Sequence, residues 1–515
     1  MRNRLMLSVF VAGFTTLGIE LSASRLLGNV FGTSNIVWAN IIGLMLVYLS
    51  LGYFLGGRLA DRRPERLLFF RLLAWGAFTA GLVPLAARPV LRQAALAVER
   101  LDAGVTLGSF VSVLVLLLVP VTLLGMISPF AIRLAVRTPE EAGRVSGRIY
   151  ALSTLGSILG TFLPVLWLIP SIGTAATFLS LSLVLLGVAL WGMAGEVPGA
   201  ALRHAWMPPA LLLLSWLVLR GPIKTTQGQI YETESAYNYI QVLEREGTRY
   251  LLLNEGQGIH SVHRPGVLLT GGTWDYFLAA PFFNPAPHPL ERIRRVGLVG
   301  LAAGTIAQQY TAVVGPIPID GWEIDPTILE VGRAYFDMTE PNLNAIAADG
   351  RWGLAHSPHR YSVIGVDAYR LPYIPWHLTT QEFFREAYDR LEADGVVVIN
   401  VGRTADDRRI IEALVGTMAT VFPSIHVVDV PNTFNSIVYA SRGPTTSESL
   451  AANWAALQES GAPAELVEAV GRAVQNLQPT PDSSIVFTDD LAPIEQLTNA
   501  LALRFLLSGE LENLQ

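Results

Sequence analysis

The sequence predicts a helical membrane bundle followed by an α/β half built on a doubly wound sheet. Three observations predict it. Hydrophobic residues make up 51% of the chain and charged residues only 15%, with a mean hydropathy of +0.41, too apolar for one water-soluble domain of ordinary composition. The apolar material is concentrated in the first 220 residues. From Val296 onward, short apolar runs alternate with helix-like runs, the pattern of strands wound with helices into a parallel sheet.

The candidate membrane spans are 5–29, 36–57, 67–87, 107–132, 148–170 and 173–194, with a shorter one at 207–219. Each of the first six has about the length needed to cross a ~30 Å hydrocarbon core. The first is too long, and is interrupted by Glu20 and Arg25, to be a cleaved leader. That pair is read as a clamp between helices or as a polar site inside the bundle. Gly52, Gly56, Gly57, Gly156 and Gly160 suit close helix packing. Arg58, Arg62, Arg63 and Arg66, and then Arg133, Arg137, Arg144 and Arg148, mark cytoplasmic loops and an inside N-terminus. Seven crossings would put residue 220 onward outside. A cytoplasmic second half requires either that 207–219 does not cross or that the Pro-broken stretch 107–137 hides a pass.

The expected organisation is a bundle over 1–219, a small β unit with a connecting helix over 221–285, a Rossmann-like domain over 286–442 and a helical, mostly solvated tail over 443–515. IYETESAYNYIQVL, RYLLLN and IHSVH read as strands, with a turn at Glu246-Gly247, and 271–283 reads as a helix. Further strands are expected at Val296–Val299, 318–322, 344–347, 362–366, 395–400, 426–430 and 436–440. Helices are expected at about 304–314, 326–337, 378–392 and 406–421. The last two strands lack an intervening helix, which implies an antiparallel edge strand. There is no GxGxxG motif, so the pattern suits a nucleoside-dependent transferase sheet better than a dinucleotide one.

Four successive strand ends carry ligand chemistry. The first strand turns through Gly300-Leu301-Ala302-Ala303-Gly304, where small residues let backbone approach a ligand. The second ends at Glu323, placed to accept both hydroxyls of a ribose. The third is followed by Asp349-Gly350 and the fourth ends at Asp367. All lie on the carboxyl edge, where doubly wound sheets bind ligands. After Asp367 comes an aromatic, Pro-stiffened loop, Tyr369 to Trp376, which reads as a lid. The net charge of −6 argues against a nucleic-acid partner, and the absence of Cys removes disulfides and thiolate metal sites. No metal is expected.

With IELSASRLLGNVFGTS, GYFLGGRLADRRP, RIYALSTLGSILGTFLP, ETESAYNYIQV, LLLNEGQGIHSV, the glycine turn, WEIDP, ADGR, VDAYRLPYIPWHLTTQEFF and TDDLAPIE on the page, nearly the whole chain resembles the membrane-fused spermidine synthase-like family. The resemblance implies an S-adenosylmethionine-transferase-type sheet and an aminopropyltransferase. Such an enzyme uses decarboxylated S-adenosylmethionine, or S-adenosylmethionine in methyltransferase relatives, as co-substrate. A polyamine would be the acceptor, the assembly a homodimer, and the enzyme would sit in the bacterial inner membrane, in contact with lipid, with its soluble domain in the cytoplasm. Glu323 would then hold the ribose, Asp349 with Gly350 the adenine, and Gly300, Ala302, Gly304 and Asn238 the rest of the co-substrate. Asp367 would assist the attacking amine. Tyr237, Gln257, Trp274, Asp275, Tyr369 and Tyr373 would line the acceptor. Two departures stand out: Ala303 replaces an Asp of the family's glycine turn, and Arg370 replaces a second acid after Asp367. Asp489, Asp490 and Glu495 are candidates either to restore that charge or to cap a helix. The readings that follow are aminopropyl transfer, methyl transfer, a transporter or sensor with a nucleoside-binding domain, and a homologue without activity.

Overall fold

The computed structural model describes residues 2–31, 35–101, 105–197, 199–221, 223, 226–254, 258–369, 374–404 and 407–498. The chain folds as two compact units. One is Met1–Thr226 with Glu232–Tyr239; the other is Gln227–Tyr231 with Ile240–Gln515.

The first unit holds α1 (Arg2–Phe31), α2 (Asn35–Arg62), α3 (Arg66–Leu101), α4 (Val105–Gly125), α5 (Ile127–Ala135), α6 (Ala142–Leu163), α7 (Ile169–Ile172), α8 (Thr174–Glu196) and α9 (Met207–Val218). Six stretches among the described residues are long and apolar enough to cross a membrane, running from Asn3–Gly28 to Thr174–Glu196. The expected span 107–132 comes as two helices, α4 and α5. Pro129 has no N–H to offer the Gly125 carbonyl four residues back, and the ladder breaks there. The expected span 148–170 starts earlier, at Ala142, and passes through a π turn at Pro164–Leu168. At 12 residues α9 is about 18 Å long, short of a bilayer core.

Small residues set the helix contacts. A Cβ on Gly156 or Gly160 would lie 2.0 and 2.1 Å from the carbonyl oxygens of Phe10 and Phe14, so α1 and α6 touch backbone to backbone. Gly52 approaches the Thr122 carbonyl in the same way, whereas Gly57 faces open space. Arg25, expected in a clamp with Glu20, instead donates to the backbone carbonyls of Ser235 and, at 2.9 Å, Tyr237. Glu234 accepts from the Thr174 N–H at 2.9 Å and its hydroxyl at 3.0 Å, at the start of α8.

The strands β1 (Gln229–Glu234), β2 (Tyr239–Arg245), β3 (Thr248–Leu253) and β4 (Ile259–His263) form a sheet in that order. The stretch expected as one helix near 271–283 is a 3-10 helix, Thr273–Phe283, almost wholly buried. Then follow β5 (Val296–Val299), α10 (Thr305–Val314), β6 (Ile319–Glu323), α11 (Pro326–Tyr335), β7 (Leu343–Ala347), α12 (Gly350–His356), β8 (Tyr361–Val366), α13 (Gln381–Arg390), β9 (Leu391–Gly402), α14 (Arg409–Ala419), β10 (Ser424–Asp429) and β11 (Asn435–Ser441). After these come α15 (Ser447–Ser460), α16 (Ala464–Gln475) and β12 (Leu477–Gln478).

The large sheet has the order β12-β10-β11-β9-β8-β5-β6-β7. β5, β6, β7, β8 and β9 pair in parallel. The expected antiparallel strand is β11, but it lies between β9 and β10 rather than at the edge. The tight β10–β11 connection lets the chain fold straight back beside β10 and fill the place next to β9. The tail is not mostly solvated: α15 and α16 pack on the 3-10 helix and bury Leu450, Leu457, Leu466 and Val470. Spacings of seven and four put each pair on one helix face.

Candidate functional site

The strand order makes the site. The chain leaves β5, adds β6 and β7 on one side, then crosses to add β8 and β9 on the other. The switch point therefore lies at the carboxyl end of β5, where open α/β sheets form a crevice. Val299 is in register with Trp322 and with Val366, so the turn after β5 is flanked by Glu323 on one side and Asp367 on the other.

The turn is built for close approach. Gly300 has φ +87°, and a Cβ there would sit 2.6 Å from the Ala368 nitrogen. Ala302 holds φ +48° despite its side chain, a strain of about 1–2 kcal/mol for a non-glycine residue. Gly304, φ +89°, precedes α10. The strained Ala302 N–H donates to Glu323 Oε2 at 3.0 Å, and the Asp325 N–H donates to Oε1 at 3.1 Å. Gly300→Ala is expected to destabilise the α/β unit by on the order of 2–4 kcal/mol. A lowered thermal midpoint checks this; an unchanged one contradicts the turn geometry.

Glu323 is 8% exposed. Among the described residues it makes no ion pair, and burial pushes its carboxyl up to about 7, against the pull of the Asp325 and Ala302 N–H groups. Asp367 is half-buried. Burial pushes it up to about 7 as well, while hydrogen bonds from Asn400 and the Trp274 indole hold it down. Asn400 Nδ2 donates to Asp367 Oδ1 at 2.9 Å, and Asn435 Nδ2 donates to Asn400 Oδ1 at 2.8 Å, so the amide is locked with its donor toward the acid. Tyr369 lies against Gly402, and burial, then the Asp367 charge, raise its hydroxyl pKa. Two acids with no cationic partner among the described residues, on either side of a strained turn, fit a ligand that brings hydroxyl donors to one and a cationic amine to the other.

Asp349 caps α12, accepting from the Trp352 N–H at 2.9 Å, and its other oxygen lies 3.4 Å from His377 Nε2. A Cβ on Gly350 would lie 2.6 Å from Val299 Cγ1, which brings the start of α12 against the end of β5.

Asp275 is a correction. It is fully buried, accepts from the N–H groups of Thr270 and Gly271, from the Thr270 hydroxyl and from Gln309, and pairs with Arg472 at 3.2 Å. Its oxygens are committed to holding the 3-10 helix. Its neighbour Trp274 is the one that meets Asp367. Ala303 is also turned away from the crevice. Its methyl lies in an apolar cluster with Ile240, Val242, Leu251, Ile328, Val331 and Phe336, and its N–H donates to Ser261 Oγ at 3.0 Å.

Tyr237 and Asn238 belong to the first unit, where both N–H groups donate to Ser235 Oγ, at 3.0 and 2.9 Å. Gln257, Arg370 and Tyr373 lie outside the described residues. Asp489 caps no helix; it bonds Arg351 and Thr380. Asn400 was missed from sequence, although a lone amide between Ile399 and Val401, in an otherwise apolar run from Val396, is a visible interruption.

No family model matches the chain. A probable polyamine aminopropyl transferase of Bifidobacterium longum is 33% identical over 282 residues, covering 52% of this chain and 61% of the relative. A polyamine aminopropyltransferase of Vibrio vulnificus is 28% identical over 218 residues, covering 38% of this chain and 68% of the relative. Among solved structures, a probable spermidine synthase of Corynebacterium glutamicum aligns at TM-score 0.39 and 20% identity, covering 48% of this chain and 95% of that one. The chain thus spans less than two thirds of the Bifidobacterium relative. By sequence, about half of this chain is similar to polyamine aminopropyltransferases.

Proposed function

We propose that the protein transfers an aminopropyl group from decarboxylated S-adenosylmethionine to a di- or polyamine. The observation that carries this reading is the pair Glu323 and Asp367, unneutralised among the described residues and set on either side of the turn at Gly300. Similarity to polyamine aminopropyltransferases supports it.

In this reading Glu323 accepts the ribose hydroxyls, and Asp349 with Gly350 borders the base. The amine nitrogen attacks the carbon bound to the sulfonium: a C–N bond forms, the C–S bond breaks, and the electron pair returns to sulfur. Neutral methylthioadenosine leaves, and the ammonium proton passes to Asp367. A carboxyl group titrating near 7 is ionised often enough to accept that proton at neutral pH. Trp274 and Asn400 fix its orientation, and the turn aligns donor and acceptor.

Methyl transfer from S-adenosylmethionine is the second reading, favoured by the turn Gly300-Leu301-Ala302-Ala303-Gly304, which carries no carboxylate to repel that of S-adenosylmethionine. The deciding experiment supplies each donor with putrescine or spermidine. Methylthioadenosine from the decarboxylated donor is the expected product. S-adenosylhomocysteine alone would replace this reading with the second.

The six long apolar helices support a membrane-embedded first half, and the Arg-rich loops at 58–66 and 133–148 support a cytoplasmic second half. Reporter fusions after residue 225 are expected to give a cytoplasmic signal. A periplasmic one refutes the placement.

A further inference from the structure

The TDDLAPIE stretch is a motif singled out in the sequence that the reaction leaves unused, and its first acid reaches back to the base-binding edge. Arg351 directly follows Asp349 and Gly350 and commits its guanidinium to five hydrogen bonds. Nε and Nη2 donate to Glu386 at 3.0 and 2.8 Å. Nη1 and Nη2 donate to the two oxygens of Asp489 at 2.7 and 2.8 Å. Nη1 also donates to the His377 carbonyl at 3.0 Å. Arg351 is largely covered, with 16% of its side chain exposed.

Asp489 does more than pair with it. Its Oδ1 accepts from Thr380 Oγ1 at 2.7 Å, and its N–H donates to Glu382 at 3.0 Å. The adjoining Phe487 is buried, and its carbonyl accepts from the Gln381 N–H at 2.8 Å. The segment 487–489 therefore ties together the start of α12, the start of α13 and the turn Trp376–Leu378, in which His377 faces Asp349 at 3.4 Å. A bidentate fork fixes both distance and orientation, which a single point charge does not.

We propose that Asp489 is a positioning residue for the nucleoside: through Arg351 it sets the spacing between the base-binding edge at Asp349-Gly350 and the turn Trp376–Leu378, where His377 faces Asp349. This rests on the nucleoside reading of that edge. The geometry assigns Asp489 no charge to offer a polyamine, because both its oxygens face Arg351.

The test uses the full chain and methylthioadenosine as probe, with calorimetry and thermal unfolding run on the same samples. The wild type must bind; if it does not, the nucleoside reading fails and the positioning question falls with it. If it binds, Asp489→Asn is expected to weaken binding about fivefold or more, since one fork is lost from a partly exposed charged pair. Glu386→Gln, which breaks the other fork without touching the tail, is expected to do the same. With donor and acceptor supplied, KM for the donor rises while kcat stays within about twofold. Thr380→Val, which leaves the fork intact, is expected to bind nearly as the wild type. Unchanged affinity in Asp489→Asn and Glu386→Gln alongside a lower thermal midpoint would make the fork a purely structural tie and overturn the proposal. A fall in kcat at constant KM would also overturn it.

Discussion

Asp367→Asn is expected to cut turnover by about a hundredfold or more while nucleoside affinity stays within a few-fold, because the substitution keeps the shape and removes the base. The residue ends β8 beside the turn and receives hydrogen bonds from Asn400 and Trp274. Neither donor can take its place, since an amide and an indole N–H do not accept the amine's proton. The acid limb of kcat/KM is expected to have its midpoint near 7, where burial has moved this carboxyl. Asn400→Ala removes a donor that favours the ionised form, so the limb moves to higher pH. Normal turnover in Asp367→Asn with either donor would remove it from the chemistry.

Glu323→Gln is expected to weaken methylthioadenosine binding by about 1–3 kcal/mol, the usual cost of losing a charged hydrogen-bond partner. Its effect on stability has the opposite sign. A carboxyl raised to about 7 in the folded state holds its proton there while the unfolded chain, with an ordinary carboxyl, has released it. The folded protein therefore binds more protons between about pH 4.5 and 7, and Glu323 costs stability as pH rises through that window. Gln carries no such penalty, so the variant unfolds at a higher temperature than the wild type at pH 8 and at a similar one near pH 4. The ligand's hydroxyls donate to the ionised form, so binding tightens as pH rises through 7 and releases protons. Calorimetry in buffers of different ionisation enthalpy measures that release. A variant that both binds and unfolds like the wild type would leave Glu323 without a role in the site.

What the sequence made legible was local. Val296–Val299 and Tyr361–Val366 announce themselves as short apolar runs ending in a turn residue, and both are fully buried strands. Glu323 and Asp367 could be placed at strand ends because each follows such a run. Contacts between distant segments left no such mark. Asp275 looked like a residue lining the acceptor because its partner Arg472 lies 197 residues away. The Arg351–Asp489 fork joins residues 138 apart, and nothing near either one signals it. β11 looked like an edge strand because loop length shows how two strands connect but not which of them meets β9. Ala303 looked like a lost acid, whereas the direction of its Cβ, into an apolar cluster, depends on the turn's backbone.

The grip of Arg25 on the carbonyls of Ser235 and Tyr237 bears on how such a protein is inherited. Residues 227–231 belong to the second unit and 232–239 to the first, so the chain enters one compact body, returns to the other and leaves again. No single recombination point divides the two. A half beginning at 221 keeps the loop but loses the guanidinium that holds it, and one beginning at 240 loses the loop with it. The amino-terminal helix and the loop therefore have to travel together, and a chimera that joins this second half to an unrelated anchor has to bring its own substitute for Arg25.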